Sequence, residues 1–307
     1  MKKVYIKLII FLLPIVILFA NDSDAYKKFA YHKITESCSG DFIYHRICED
    51  LTPIDVAFLG TSKTVNGVND LLIRFVYEYY FHRKFNPVVI SFCGGGRNIQ
   101  YAIAKMLFEN KKPKILFLEL NEFEINHSHI SYGVVSDFRD LIFAPVLNNR
   151  YYFRDIGEGL KSRLDFVRSG MKTDSIGKLS DHGFMPYDFA GDSVRLMNYK
   201  LSKTTGNQND NNSVRAKYAI HYVDKILHLA RDNHCQVIFL YLPSFGYNGN
   251  PVEARNYYEQ KADIWYPPAE ILDNTKYWHD TWHLSRQGAD SLTAWIISKL
   301  KDMNIPE

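Results

Sequence analysis

Short, almost wholly apolar runs recur along the chain, and between them the apolar residues space out at three and four positions. The first run is residues 54–59, closed by Gly60; the second is 87–92, followed by Cys93-Gly94-Gly95-Gly96; the third is Ile115–Leu120. Apolar runs of this length closed by turn residues read as strands buried on both faces, the habit of a parallel sheet. Between the first two, residues 69–81 place Leu72, Phe75, Val76 and Tyr79 at helical spacing. Residues 98–110 form a second helix that ends at Lys112-Pro113. A βαβαβ order with right-handed crossovers predicts an α/β fold, a doubly wound parallel sheet between two helical layers in a three-layer α/β/α sandwich.

The alternation then stops. From 122 to about 212 no strand pattern is visible, and amphipathic pieces alternate with Gly-, Asn- and Asp-rich turns, ending in the polar stretch 204–212. The core pattern resumes with a helix at 213–233 and a strand at 236–242. A Tyr- and Pro-rich tail and a closing amphipathic helix at 285–300 complete the chain. The reading is one domain, 26–307, carrying a large helical and loop insertion at about 122–212. Residues 21–52 read as a polar, irregular lead-in.

The N-terminus changes the picture of location. Lys2, Lys3 and Lys7 flank or interrupt an apolar stretch, and the 13 residues from Leu8 to Ala20 carry no charge. That core has the length of a signal-peptide segment; with residues 4–6 added and Lys7 reaching back to the headgroups, it makes a short anchor. Residues 1–25 are therefore an uncleaved membrane anchor or a cleaved signal, and the expected location of the rest is extracytoplasmic either way. With 46% hydrophobic and 23% charged residues, the 307-residue chain has an ordinary folded composition. Its 37 basic and 34 acidic residues nearly cancel to +3 without a basic run, which gives no footing for nucleic acid. Of four cysteines, Cys38 and Cys48 are spaced to pair in an oxidising compartment, while Cys93 and Cys235 read as buried free thiols. No Cys or His spacing resembles a zinc site, and no metal or cofactor is expected.

In a doubly wound sheet, ligands bind at the carboxyl ends of the strands. Four segments there carry chemistry. Ser62, in Gly60-Thr61-Ser62-Lys63, follows the first strand in a tight turn that exposes its hydroxyl and sets its N–H at the start of a helix. The glycines before Arg97 and Asn98 let a backbone N–H face a developing oxyanion, and Asn121 at the end of the third strand adds an amide donor. Asp280, three residues ahead of His283, is placed to bond Nδ1 of the imidazole and leave Nε2 to take a proton from Ser62. Arg97 is a candidate for binding an anionic substrate group.

These four segments, in this order, resemble the four sequence blocks of the SGNH/GDSL hydrolase superfamily. Gly60-Thr61-Ser62-Lys63 stands at Gly-Asp-Ser-Leu, Gly96 (or Gly95) at the oxyanion glycine, Glu119-Leu120-Asn121-Glu122 at Gly-x-Asn-Asp, and Asp280-x-x-His283 with Gly288 at the closing block. The resemblance covers roughly 54–121 and 213–300 and implies metal-free hydrolysis or transfer of acyl groups. It implies Ser62, His283 and Asp280 as a catalytic triad, with Ser62 N–H, Gly96 and Asn121 as the oxyanion hole. Thr61, Lys63 and Glu119 depart from the family pattern. Such departures, with the N-terminal apolar segment, are similar to the membrane-anchored branch, which includes the lipoteichoic-acid D-alanyl transfer and alginate acetylation proteins.

Two functions follow as expectations. The first is a serine esterase or O-acyltransferase acting on an acylated envelope polysaccharide or polymer. The second is a catalytically inactive binding or accessory protein on the same fold, assisting a membrane acyltransferase. A phosphate-binding role for the glycine loop lacks a Walker or Gly-x-Gly-x-x-Gly pattern.

Overall fold

A computed structural model of the chain describes residues 22–34, 39–146, 149–173, 180, 182–204, 216–247, 252 and 254–303, with Tyr5, Lys7 and Leu13 from the N-terminal segment. Five strands, β1 (Val56–Leu59), β2 (Pro87–Val89), β3 (Ile115–Leu120), β4 (Gln236–Tyr241) and β5 (Asp263–Trp265), form one sheet in the order 2-1-3-4-5, and every neighbouring pair is parallel. All residues of β1 and β3 are buried. Their side chains alternate between two cores. Ala57, Leu59, Leu116, Leu118, Phe239 and Tyr241 face one; Val56, Phe58, Ile115, Phe117, Ile238 and Leu240 face the other. A strand period of two with both faces covered is what made these runs continuously apolar.

Helices complete the layers. Against the first face lie α1 (Asp24–Lys33), α2 (Gly40–Tyr44, continuing into a π turn to Glu49), α5 (Arg97–Asn110) and α10 (Lys217–Asp232). Against the second lie α3 (Ser62–Gly67), α4 (Asp70–Phe81) and the closing α13 (Arg286–Lys301). Caps set several starts: Asn69 accepts from the Leu72 amide at 3.0 Å, and Ser285 from the Gly288 amide at 3.4 Å. The insertion is helical among its described residues, with α6 (Tyr132–Val135), α7 (Phe138–Ile142), α8 (Tyr152–Arg168) and α9 (Ser193–Thr204); the short α11 (Arg255–Glu259) and α12 (Ala269–Leu272) flank β5.

Several expectations change. The lead-in at 21–52 is not irregular: Tyr26, Ala30, Tyr31, Phe42 and Ile43 enter the first core. Its polar surface reading fails because the buried stripe of α1 is built from tyrosine and alanine, which a hydrophobic scan scores weakly. The three-residue β5 and the six-residue α3 are too short for a periodic signal. The 213–233 helix begins at Lys217, and 205–212 of the expected polar loop lies outside the described residues. So do most of residues 1–21. Among the described residues no helix is long and apolar enough to cross a membrane. Cys93 is disulfide-bonded and Cys48 is a free thiol, so neither the expected Cys38–Cys48 pair nor a free Cys93 is found; Cys38 lies outside the described residues. Cys235 is a buried free thiol, and burial pushes it up to about 12.

Candidate active site

The sheet order decides the meeting point. β1 lies between β2 and β3, so the turn after β1 is flanked by the glycine loop after β2 and by Asn121 after β3. Ser62 is the first residue of α3, and Thr61 is its cap, accepting from the Lys63 amide at 3.2 Å. The Ser62 hydroxyl lies 2.8 Å from His283 Nε2 across 221 residues of sequence. His283 Nδ1 lies 2.9 Å from Asp280 Oδ2 and 3.1 Å from Oδ1. A carboxylate beside Nδ1 keeps the proton there, so Nε2 is the acceptor for the serine hydroxyl.

The Asp280 carboxylate also accepts from the amides of Trp282 at 2.7 Å and His283 at 2.8 Å. Burial works to raise its pKa, but the imidazole and the two amides outweigh it and hold the group down at about 2. A hydroxyl, an unprotonated Nε2 and an ionised carboxylate in line form a chain able to remove the serine proton during nucleophilic attack.

The nucleophile turn is built on buried carboxylates. Glu119, 1% exposed at the end of β3, accepts from the Thr61 amide and hydroxyl, both at 2.8 Å, and from the amide and hydroxyl of Thr64. It leaves no room for a side chain at position 60, where a Cβ would collide with Thr64 Oγ1 and Glu119 Oε2. Lys63, 8% exposed, spends its ammonium on Glu122 at 3.0 Å, the Leu242 carbonyl and Ser244 Oγ at 3.1 Å. Burial works to raise the Glu122 carboxyl, but Lys63 and the Ser244 hydroxyl hold it below the usual carboxylate range. Thus Thr61, Lys63 and Glu119 are bound into one support around Ser62.

The glycine loop is fixed from the insertion side. Gly96 has φ 154° and ψ 117°, and a Cβ there would press on His129 Cβ and its amide. His129, in the loop before α6, is buried. It accepts from the Ser131 amide at Nδ1 and so donates from Nε2 to the Cys93 carbonyl at 3.0 Å. Burial pushes its pKa down, which keeps it neutral. Asn121 is half-buried, and its Oδ1 is buried without a hydrogen-bond partner among the described residues.

Arg97 does not serve as a substrate arginine in this arrangement. It is 4% exposed; Nε and Nη2 bond Glu124, and Nη1 bonds Gln100 and the Glu119 carbonyl at 2.8 and 2.7 Å. Its charge is paired with Glu124 in the interior. His279 donates from Nδ1 to the Phe189 carbonyl at 2.9 Å and stacks on Tyr187.

Residues 183–191 of the insertion form a strap over this edge, which no sequence signal announced. Its amides at Met185 and Gly191 bond the Val65 and Trp278 carbonyls at 3.0 and 2.7 Å, and the Arg286 amide bonds the Tyr187 carbonyl at 2.7 Å. The Tyr187 ring stacks on His279 at 4.1 Å and lies 5.5 Å from the His283 ring. On the other side Trp282, half exposed, stands over the Lys63 ammonium at 5.3 Å. The site is thus walled by Tyr187 and Trp282. An isolated parallel pairing of Tyr187 with Ser285 adds to these backbone bonds. His182, one residue before the strap, adjoins the buried Asp70, whose carboxylate accepts from the Gly183 amide at 2.9 Å. Among the described residues, no group of three or more His, Cys, Asp and Glu side chains is placed to hold a metal ion. No family model matches this sequence, and no curated protein matches it either.

Proposed function

We propose that this chain is an SGNH-type serine esterase or O-acyltransferase of the cell envelope, acting on an acylated polysaccharide or related polymer. The observation that carries the reading is the 2.8 Å approach of Ser62 Oγ to His283 Nε2, with Asp280 2.9 Å behind the ring. Ser62 attacks the acyl carbonyl while His283 takes its proton; His283 then protonates the departing alcohol, and Asp280 stabilises the imidazolium. The oxyanion is received by the Ser62 and Gly96 amides and the Asn121 side-chain amide. Water, or a sugar hydroxyl activated by the same imidazole, releases the acyl group. The location is supported by the apolar segment before residue 21 and by a disulfide at Cys93, a bond typical of oxidising compartments. A binding-only role on this fold is disfavoured by the hydrogen-bonded triad and by the care with which the three atypical residues are paired.

The test is labelling with a fluorophosphonate probe. The full chain is expected to take one label that Ser62→Ala abolishes, with hydrolysis of an aryl acetate falling at least about 10⁴-fold. An unlabelled wild-type chain, or a Ser62→Ala variant that labels equally, overturns the mechanism.

A further inference from the structure

Large apolar side chains are exposed in an uneven way. Ile142, Phe143, Val146 and Phe153 crowd the tip where α7 ends and α8 begins, with Phe143 74% and Phe153 81% exposed. The Tyr152 hydroxyl donates to the Ile142 carbonyl at 2.9 Å, and its ring meets Phe153 edge-on at 5.4 Å, so the two helix ends present one patch. Arg139 and Arg150 are exposed beside it, whereas the nearby carboxylates of Asp137 and Asp140 are bound by Lys105. Apolar side chains bordered by exposed arginines suit an interface with anionic headgroups.

The position of the chain entry selects the occupant. The uncharged segment ends at Ala20. Asp22 is already pinned: its carboxylate accepts from the Phe138 amide at 3.0 Å, at the first residue of α7, and binds the 1%-exposed Arg163. Two residues of chain reach about 7 Å at most, and the five residues of α7 rise about 7.5 Å. With the Asp22 side chain and its 3.0 Å hydrogen bond added, chain length alone keeps the end of the apolar segment within roughly 20 Å of the patch. A bilayer that takes up the segment has little slack to stand away from it.

We infer that the tip formed by Ile142, Phe143, Val146 and Phe153 docks on the membrane that holds the N-terminal segment, as a second, shallow contact that fixes the domain's orientation. The inference rests on the anchor reading of residues 1–25. It also gives the insertion two tasks: its α7–α8 end meets lipid and its 183–191 strap meets the candidate active site.

The second large exposed aromatic pair, Phe75 and Tyr79 on α4, lies in the opposite helical layer and supplies the control. The full chain is reconstituted in vesicles of phosphatidylcholine and phosphatidylglycerol with or without brominated acyl chains. Emission of an added tryptophan is read for Phe143→Trp, Phe153→Trp and Phe75→Trp against the unsubstituted chain. The expected result is loss of the added emission to brominated lipid at 143 and 153, with none at 75. A chain that floats with the vesicles yet shows no quenching at 143 and 153, or equal quenching at 75, overturns the docking surface. A chain that does not float removes the anchor itself, a different failure that also takes the docking surface with it.

Discussion

The two turns that meet at the Ser62–His283 bond are held by opposite means. Around Ser62, Thr61, Lys63 and Thr64 are buried, and two interior carboxylates accept from all three of their side chains. Around His283, the support is local and half exposed: Asp280 is bonded by its own neighbours, and the outer wall is the Tyr187–His279 stack. A buried carboxylate with four donors has one arrangement, because each orphaned donor costs about 1–3 kcal/mol. A short loop closed by an Asp-amide turn has a shallower minimum. The difference teaches where precision is placed: Ser62 is fixed by the core, and His283 is set by local contacts that the strap can adjust.

The largest effect expected from this contrast is on the exposed side. Asp280→Asn removes the charge that orients Nδ1 and stabilises the imidazolium, so kcat against an aryl ester falls about 10²–10⁴-fold, with only a modest loss of thermal stability because solvent screens the half-exposed pair. The acid limb gives an independent reading. The folded carboxyl, at about 2, lies below its ordinary value of roughly 3.9, so its contribution to stability is present above about pH 4 and is lost as pH falls through 2. Asp280→Asn abolishes that part of the pH dependence in urea denaturation, and an unchanged profile contradicts the pairing. The buried side behaves in reverse. Lys63→Met leaves the Glu122 carboxylate unpaired in the interior and costs about 3–5 kcal/mol of unfolding free energy. Lys63→Met with Glu122→Gln recovers part of that loss. If the single variant melts like the wild type, the account of the rigid turn is wrong.

What the sequence disclosed follows the same division. The central strands and their crossover helices were legible because burial on both faces makes an apolar run unmistakable. Ser62 stands out as a candidate at the end of such a run, and Asp280 and His283 by their spacing of three ahead of the closing helix. The supports do not. Glu119 and Lys63 looked like departures from a family pattern, and only side-chain placement shows that each answers another: Glu119 answers Thr61 and Thr64, Lys63 answers Glu122. The same holds for Arg97: a charged residue beside a glycine loop gives no sign in the sequence that Glu124 pairs with it. The cysteine pairing failed because ten residues of separation permits a bridge without favouring it over a partner distant in sequence.

The smallest effect expected is at the strap, and it decides how far the adjustable side reaches. The Tyr187 ring stacks on His279 and borders His283, while the strap's own backbone bonds to Val65, Trp278 and Arg286 do not depend on that ring. Tyr187→Ala therefore keeps the strap in place and removes only the wall, and Tyr187→Phe keeps the wall. Losing one aromatic stacking partner is worth about 0.5–1.5 kcal/mol, which corresponds to roughly a two- to twelvefold drop in kcat/KM for Tyr187→Ala, with Tyr187→Phe near wild type. The loss should fall on a polymeric ester and largely spare an aryl acetate, because the small ester needs only the triad and the oxyanion donors. Equal losses on both substrates make Tyr187 a prop for His283; a loss confined to the polymer makes it a wall that the substrate itself contacts.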